Sequence, residues 1–131
     1  MTHDLLIEKK KIIVVAQIKG VNDMRSFQFI LDTGASTTVI SENVAIRLGF
    51  DLKNLKTGDR LMTAGGGIYS KLLELPKFSL FGTDFVNAEV NVIKFPPQIT
   101  LLADGLIGMD FLLQFPNIKF DFNKKTIETS C

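Results

Sequence analysis

The residues best suited to chemistry in this chain form one short segment, Asp32-Thr33-Gly34-Ala35-Ser36, which directly follows an apolar run. A strand ahead of the segment would fix the position of the Asp32 carboxylate. Thr33 can hydrogen-bond across a symmetry axis, Gly34 lets another backbone approach closely, and the Ser36 hydroxyl can reach the outer carboxylate oxygen. The same residue types form ordinary turns, but a plain surface turn does not need apolar residues on both sides. We therefore interpret the segment as a candidate active site with Asp32 as its reactive group.

Other common hydrolytic chemistries lack their residues here. The chain has one histidine, His3, and one cysteine, Cys131. A serine or cysteine nucleophile needs an ordered imidazole as its base, and we expect His3 to lie in a frayed N-terminus. A zinc site usually needs several His or Cys ligands. Carboxylates remain the best acid–base groups, and we predict neither a metal nor a cofactor.

The length of the chain predicts one domain over residues 1–131. Apolar residues make up 46% of the chain, and eleven of them are Phe. The net charge is +1 and the basic residues are scattered, so we expect no nucleic-acid partner. No signal peptide is evident, and no run of about 18 apolar residues could span a membrane. We expect a cytoplasmic protein without a membrane partner.

Short strands dominate the pattern along the chain. Apolar or alternating runs predict strands at 11–18, 27–31, 68–80, 85–94, 106–108, 118–123 and 126–129, the last two as a hairpin. A short helix should begin after Ser41 as N-cap and end before Gly49, and a second should run from Met109 to near Pro116. We expect a turn at 57–60. The fold class is therefore all-β with two short helices.

Two motifs resemble those of a known family. Leu31-Asp32-Thr33-Gly34-Ala35-Ser36 resembles the active-site signature of aspartic peptidases, and Leu106-Ile107-Gly108, about 70 residues later, resembles their second marker. The continuation Met109-Asp110-Phe111-Leu112 is especially similar to cellular and bacterial retropepsin-like domains and to the protease domain of the DNA-damage-inducible ubiquitin-shuttle proteins. The resemblance covers residues 11 to 129. It implies a closed β-barrel that forms one half of a homodimeric acid protease, and an aspartic endopeptidase activity.

The resemblance also implies a flap, a hairpin that closes over bound peptide. The candidate is Ala64-Gly65-Gly66-Gly67-Ile68-Tyr69, whose three glycines would give a mobile tip able to pair with an extended substrate. A tight hairpin without such a duty remains open as an alternative. A phosphate-binding loop is a poorer alternative, because no Lys-Ser/Thr follows the glycines.

Only one Asp-Thr-Gly occurs in the chain, which is half of an aspartic peptidase site. A C2 homodimer would supply the second Asp32, so that the two carboxyls share one proton and activate a water. We expect Asp104 to be a turn residue and Asp110 to cap the second helix. The strands within 118–129 are placed to interleave in such a dimer, and the face formed by Ile118, Phe120 and Phe122 should be buried.

Two alternatives keep the same fold without proteolysis, namely a peptide-binding module that does not cut and a silent dimerisation domain. A phosphoaspartyl enzyme is less favoured, because no phosphate-binding loop follows the Asp. A cleavage assay combined with titration by a statine-type peptide would separate cutting from binding.

Overall fold

The computed structural model describes residues 1–63, 66–96 and 102–130 of the chain. Within these ranges the strands are β1 Thr2–Asp4, β2 Leu6–Glu8, β3 Lys11–Lys19, β4 Met24–Leu31, β5 Val39–Ser41, β6 Lys56–Thr63, β7 Gly66–Leu80, β8 Thr83–Ile93, β9 Gly105–Ile107, β10 Ile118–Asp121 and β11 Thr126–Thr129. The helices are α1 Glu42–Arg47 and α2 Met109–Leu112. None of the helices in the described ranges is long and apolar enough to cross a membrane.

Eight strands form one sheet that closes on itself. Their order is β2-β3-β4-β9-β5-β8-β7-β6, and β3 also pairs with β7. That additional pairing, from Ala16↔Leu80 to Lys19↔Lys77, joins the two ends of the six-strand ring β3-β4-β9-β5-β8-β7. The predicted all-β fold with a closed barrel and two short helices is therefore confirmed.

A smaller sheet joins the two ends of the described chain. Its order is β1-β11-β10, and β10 and β11 form the predicted terminal hairpin. The expectation of a frayed N-terminus is wrong, because β1 pairs with β11 and His3 lies opposite Ile127. β11 is therefore paired on both sides within the chain, whereas β10 is an edge strand of this sheet and pairs there with β11 alone.

A cluster of phenylalanines lies within a core that is otherwise built from Leu, Ile, Val and Ala. Phe29 and Phe78 are fully buried and meet edge to face, with ring centroids 5.6 Å apart. Phe111 of α2 continues the cluster at 4.9 Å from Phe78 and 5.0 Å from Phe85. Each buried Phe contributes about 1.5–3 kcal/mol by leaving water. Since Phe29 lies on the strand that precedes Asp32, this packing holds that strand in place.

The first helix begins and ends as its sequence predicts. The Ser41 hydroxyl accepts a hydrogen bond from the N–H of Val44 at 3.2 Å, which caps the first turn. Gly49 follows the helix with a φ of +90°, a conformation that favours glycine at the C′ position.

The turn expected at 57–60 is wrong, since these residues belong to strand β6. The pairing of β6 with β7 shifts between Thr57 and Arg60, as a β-bulge does. Gly58 lies so close to β7 and β8 that an added Cβ would stand 2.6 Å from Ser70 Oγ and 2.5 Å from Asn91 Oδ1. The turn-forming residues therefore produce a bulge against a buried polar pair, and the chain does not reverse there.

The terminal hairpin buries its apolar face only in part within one chain. Ile118 and Phe120 are half-buried and pack against the core. Phe122 is 57% exposed, and its ring stacks on that of Phe120 at 5.9 Å. Phe122 lies just beyond the end of β10, and burial of this face in a dimer stays a prediction.

Candidate active site

Asp32 lies at the end of β4 and is held by its own loop and by β9. Its N–H donates to the carbonyl of Ile107 at 2.9 Å, which continues the parallel pairing of β4 with β9 by one more bond. The Gly34 N–H donates to Asp32 Oδ1 at 2.9 Å, and the Ala35 N–H donates to the Asp32 carbonyl at 3.2 Å. The side chain is half-buried. The carboxylate therefore has one oxygen oriented by the loop.

The segment that carries the second motif lies against the Asp32 loop through backbone contacts. Gly108 follows β9, and a Cβ there would stand 2.6 Å from the carbonyl oxygen of Thr37 and 2.9 Å from that of Ala35. The N–H of Met109 donates to the Ala35 carbonyl at 2.8 Å. The N–H of Asp110 donates to the Ser36 carbonyl at 3.1 Å. Because only glycine allows this approach, the two motifs form one structural unit.

A buried polar bridge fixes the far side of the same loop. The Thr38 hydroxyl, which is fully buried, accepts from the Gly108 N–H at 3.0 Å and donates to Asp110 Oδ1 at 2.7 Å. The N–H of Thr38 donates to Asp110 Oδ2 at 2.9 Å. The sequence analysis did not identify Thr38, although the acid two residues after Leu106-Ile107-Gly108 was a signal that a partner on the other loop was needed.

The two remaining candidate acids have structural contacts. Asp110 does not cap α2 as expected, because the N-cap is Gly108. Its carboxylate accepts from Thr38 and from the N–H of Phe111. Asp104 bonds to β4 at Gln28, through its N–H at 2.7 Å and its Oδ2 at 3.0 Å. Gln28 precedes Asp32 by four residues on an extended strand, so Asp104 lies well away from the Asp32 carboxylate.

A cleft of about 700 Å³ opens beside the Asp32 loop. The loop residues Asp32, Gly34, Ala35 and Ser36 line one side of it, while Arg60 and Leu61 of β6 line another. Leu106 also lines the cleft, whereas Ile107 and Gly108 are buried behind it. The arrangement places a carboxylate at the wall of a groove large enough for several side chains of a ligand.

The candidate flap lies partly within the described residues. Ala64 and Gly65 fall outside them, while Gly66, Gly67, Ile68 and Tyr69 begin the long strand β7. Gly66 has a φ of +111°, which L side chains rarely adopt. Tyr69 is 70% exposed and lies opposite Arg60 of β6.

A second polar contact connects the base of this hairpin to the Asp32 loop. The Ser70 hydroxyl, buried in β7, donates to Asn91 Oδ1 of β8 at 2.6 Å. The Asn91 N–H donates to the Thr38 carbonyl at 3.0 Å. The loop that carries Asp32 is therefore bonded both to α2 and, through β8, to the hairpin above the cleft.

The outer face of the loop is exposed. Thr33 is exposed at the loop tip, beside a second, smaller cleft of about 290 Å³ that Met109 and Leu113 also line. Leu113 is 72% exposed. The Ser36 side chain is exposed, and its predicted hydrogen bond to the Asp32 carboxylate stays a prediction. Among the residues that the structure describes, no three His, Cys, Asp or Glu side chains lie together as a metal site requires.

Known proteins share this sequence pattern. The family model for aspartyl proteases matches residues 14–111. An uncharacterized protein of Rickettsia prowazekii (strain Madrid E) is 32% identical over 101 residues, which are 77% of this chain and 41% of that protein. The chain therefore spans less than half the length of this curated relative.

Solved structures share the fold. A retropepsin-like aspartic protease from Rickettsia conorii is 25% identical, with a TM-score of 0.72 over 98% of this chain and 89% of that chain. EIAV protease in complex with the inhibitor HBY-793 is 20% identical, with a TM-score of 0.62 over 81% of this chain and 88% of that one. The retroviral protease-like domain of Ddi1 from Leishmania major is 18% identical, with a TM-score of 0.59 over 90% of this chain and 86% of that chain. Because the family match covers about three quarters of the sequence and the structural match nearly all of it, the chain belongs to the aspartyl protease family and has the retropepsin-like fold.

Proposed function

We propose that this chain is an aspartic endopeptidase that acts as a C2 homodimer, with one Asp32 from each copy. The observation that carries the proposal is the position of Asp32. Its carboxylate is oriented by the Gly34 N–H and lines a cleft of about 700 Å³. The sequence contains one Asp-Thr-Gly, so the second carboxyl of the pair comes from a second copy.

Two carboxyls at such a site would work as one unit. Like charges about 3 Å apart are not both favoured in the ionised form, so the pair would share one proton. The ionised Asp32 takes a proton from a water, which attacks the peptide carbonyl carbon. The protonated Asp32 of the other copy donates to the carbonyl oxygen, and a tetrahedral gem-diol forms. The roles then reverse as the amine leaves with a proton and the C–N bond breaks.

The exposed part of the loop supports the two-fold arrangement. Thr33 lies at the tip, where its hydroxyl can bond to the loop of the other copy. The exposed Leu113 and the half-buried Met109 lie beside it and provide apolar surface for such a contact. Because β11 is paired on both sides, the terminal sheet can extend to a second copy only through the outer strands β10 or β1.

The substrate would lie extended between the Asp32 loops and the flap. The bulge in β6 and the positive φ of Gly66 determine the shape of the hairpin backbone. Its backbone N–H and C=O groups would pair with the peptide, as an added strand pairs with a sheet edge. The cytoplasmic location stays a prediction.

The test compares wild type with Asp32→Asn on a peptide library. We expect hydrolysis to fall to background in Asp32→Asn, because the amide keeps the shape but cannot serve as the base. Asp104→Asn is the matched control, since its carboxylate bonds only to the backbone of β4 among the described contacts and should leave cleavage intact. Full activity in Asp32→Asn would contradict the proposal. Binding of a statine-type peptide without cleavage by wild type would instead support the non-cutting peptide-binding module.

A further inference from the structure

Arg60 is held along the flap hairpin by two contacts. It lies in β6 opposite Tyr69, and its guanidinium carbon is 5.9 Å from the centroid of the Tyr69 ring, within cation–π range. The guanidinium also lies against the bare backbone of Gly67, where an added Cβ would stand 2.5 Å from Arg60 Nε. A flexible side chain is thus given a preferred position on the hairpin.

This position puts a cation beside the cleft. Arg60 lines the same cleft as Asp32, and the other lining residues are uncharged. Two exposed cations elsewhere have carboxylate partners: Arg25 lies 3.3 Å from Asp23, and Lys77 lies 3.2 Å from Asp84. Among the side chains that the structure describes, no carboxylate pairs with Arg60. Its fork of N–H donors is available to a ligand.

A guanidinium recognises a carboxylate better than a neutral amide. It presents parallel N–H donors that match the two carboxylate oxygens, and the charge strengthens both bonds. In a cleft lined by protein, solvent and salt screen such a contact less than they do on an open surface. A peptide side chain that reaches Arg60 would therefore gain from being Glu or Asp.

We propose that Arg60 makes this protease prefer substrates with an acidic side chain close to the cleaved bond. This inference rests on the proposed peptidase function and adds its substrate class. Because a C2 dimer carries two copies of Arg60, the preference should occur on both sides of the cleaved bond. Tyr69 and Gly67 act by positioning the guanidinium.

The test uses a set of peptides built on one sequence that is cleaved. Each of the four positions on either side of the cleaved bond is tested in turn with Glu and with Gln. The kcat/KM ratio for Glu over Gln is measured within each variant, so a change in overall rate cancels. Wild type should favour Glu by about tenfold at one position or more, the scale of one charge-assisted hydrogen bond. Arg60→Gln should bring that ratio to about one, and Arg60→Glu should favour Lys over Gln there.

Arg47→Gln is the matched control. Arg47 is also an exposed arginine over an aromatic ring, at 5.2 Å from the centroid of Phe27, but it lies on α1 and does not line the cleft. Its Glu-to-Gln ratio should equal that of wild type. In wild type the ratio should also fall toward one as the pH drops below about 4.3, where Glu becomes neutral.

Binding of the same peptides to Asp32→Asn, followed by fluorescence anisotropy, separates this proposal from the proposed function. A Glu preference in binding that Arg60→Gln removes would support the role of Arg60 even if wild type cleaved nothing. Equal binding and equal cleavage of the Glu and Gln peptides would overturn it. A Glu preference that survives in Arg60→Gln would also overturn it.

Discussion

The bridge between Thr38 and Asp110 gives the sharpest test of how the Asp32 loop is held. Thr38→Val keeps the shape of the side chain and exchanges the hydroxyl for a methyl group. Asp110 Oδ1 loses the hydroxyl that donates to it at 2.7 Å, and the Gly108 N–H loses its acceptor at 3.0 Å. Asp110 keeps the N–H groups of Thr38 and Phe111, so the substitution does not leave its charge without donors.

The size of the effect follows from these two bonds. A buried N–H without a partner costs about 1–3 kcal/mol, and a hydrogen bond to a charged group contributes about 1.5–3 kcal/mol. Together they predict that Thr38→Val lowers the free energy of unfolding by about 2.5–6 kcal/mol. That is a large share of the roughly 5–15 kcal/mol of a typical domain. Thr38→Ser keeps both bonds and loses one methyl group, so it should cost only about 1 kcal/mol.

Urea denaturation at one fixed protein concentration measures both variants, because the unfolding free energy of a dimer depends on concentration. The expected order of stability is wild type, then Thr38→Ser, then Thr38→Val by a wide margin. Cleavage by Thr38→Val should fall as well, because the Asp32 loop loses a contact to the segment after Gly108. If Thr38→Val cost no more than Thr38→Ser, the bridge would not be what holds the loop.

Three further outcomes are expected. Gly66→Ala should lower the free energy of unfolding by about 1–3 kcal/mol, because the φ of +111° at this position strains an L residue. The substitution should also slow peptide cleavage. Unchanged denaturation and kinetics would argue against the flap geometry. Burial lowers the pKa of His3 below its usual 6.5. The free energy of unfolding should therefore fall as the pH drops below about 6.5, because the unfolded chain takes up a proton there. His3→Asn should flatten this dependence of stability on pH between pH 7 and 5. Specific activity should fall faster than linearly on dilution below the dimer dissociation constant, and a fully active monomer in sedimentation equilibrium would refute the dimer.

Most of the barrel could be predicted because its signals are local. Apolar alternation indicates strands, and the Ser41 cap with Gly49 indicates the first helix. The mistakes occurred where distant parts of the chain decide the local shape. Gly58 looks like a turn residue, yet it serves a bulge because Ser70 and Asn91 lie against it.

The same physical reason explains the gaps in the predicted site. Asp32 could be identified because its carboxylate, threonine and glycine are adjacent in sequence. Thr38 and Asp110 are 72 residues apart, and nothing in the sequence next to either residue shows that the two side chains meet. Likewise, β1 is ordered by pairing with β11 at the other end of the described chain. Its own three residues are too few to show a strand pattern in the sequence.

The Asp32 loop has two faces with different supports, and this division bears on the proposed dimer. Its inner face is bonded by the chain itself, through Ile107, Gly108 and the Thr38 bridge. Its outer face, with Thr33 at the tip, is exposed. A loop ordered from within loses little conformational entropy when a second copy binds, so more of the contact energy is available for association. In the proposed dimer the buried bonds would therefore favour association, although none of their atoms would lie in the proposed interface.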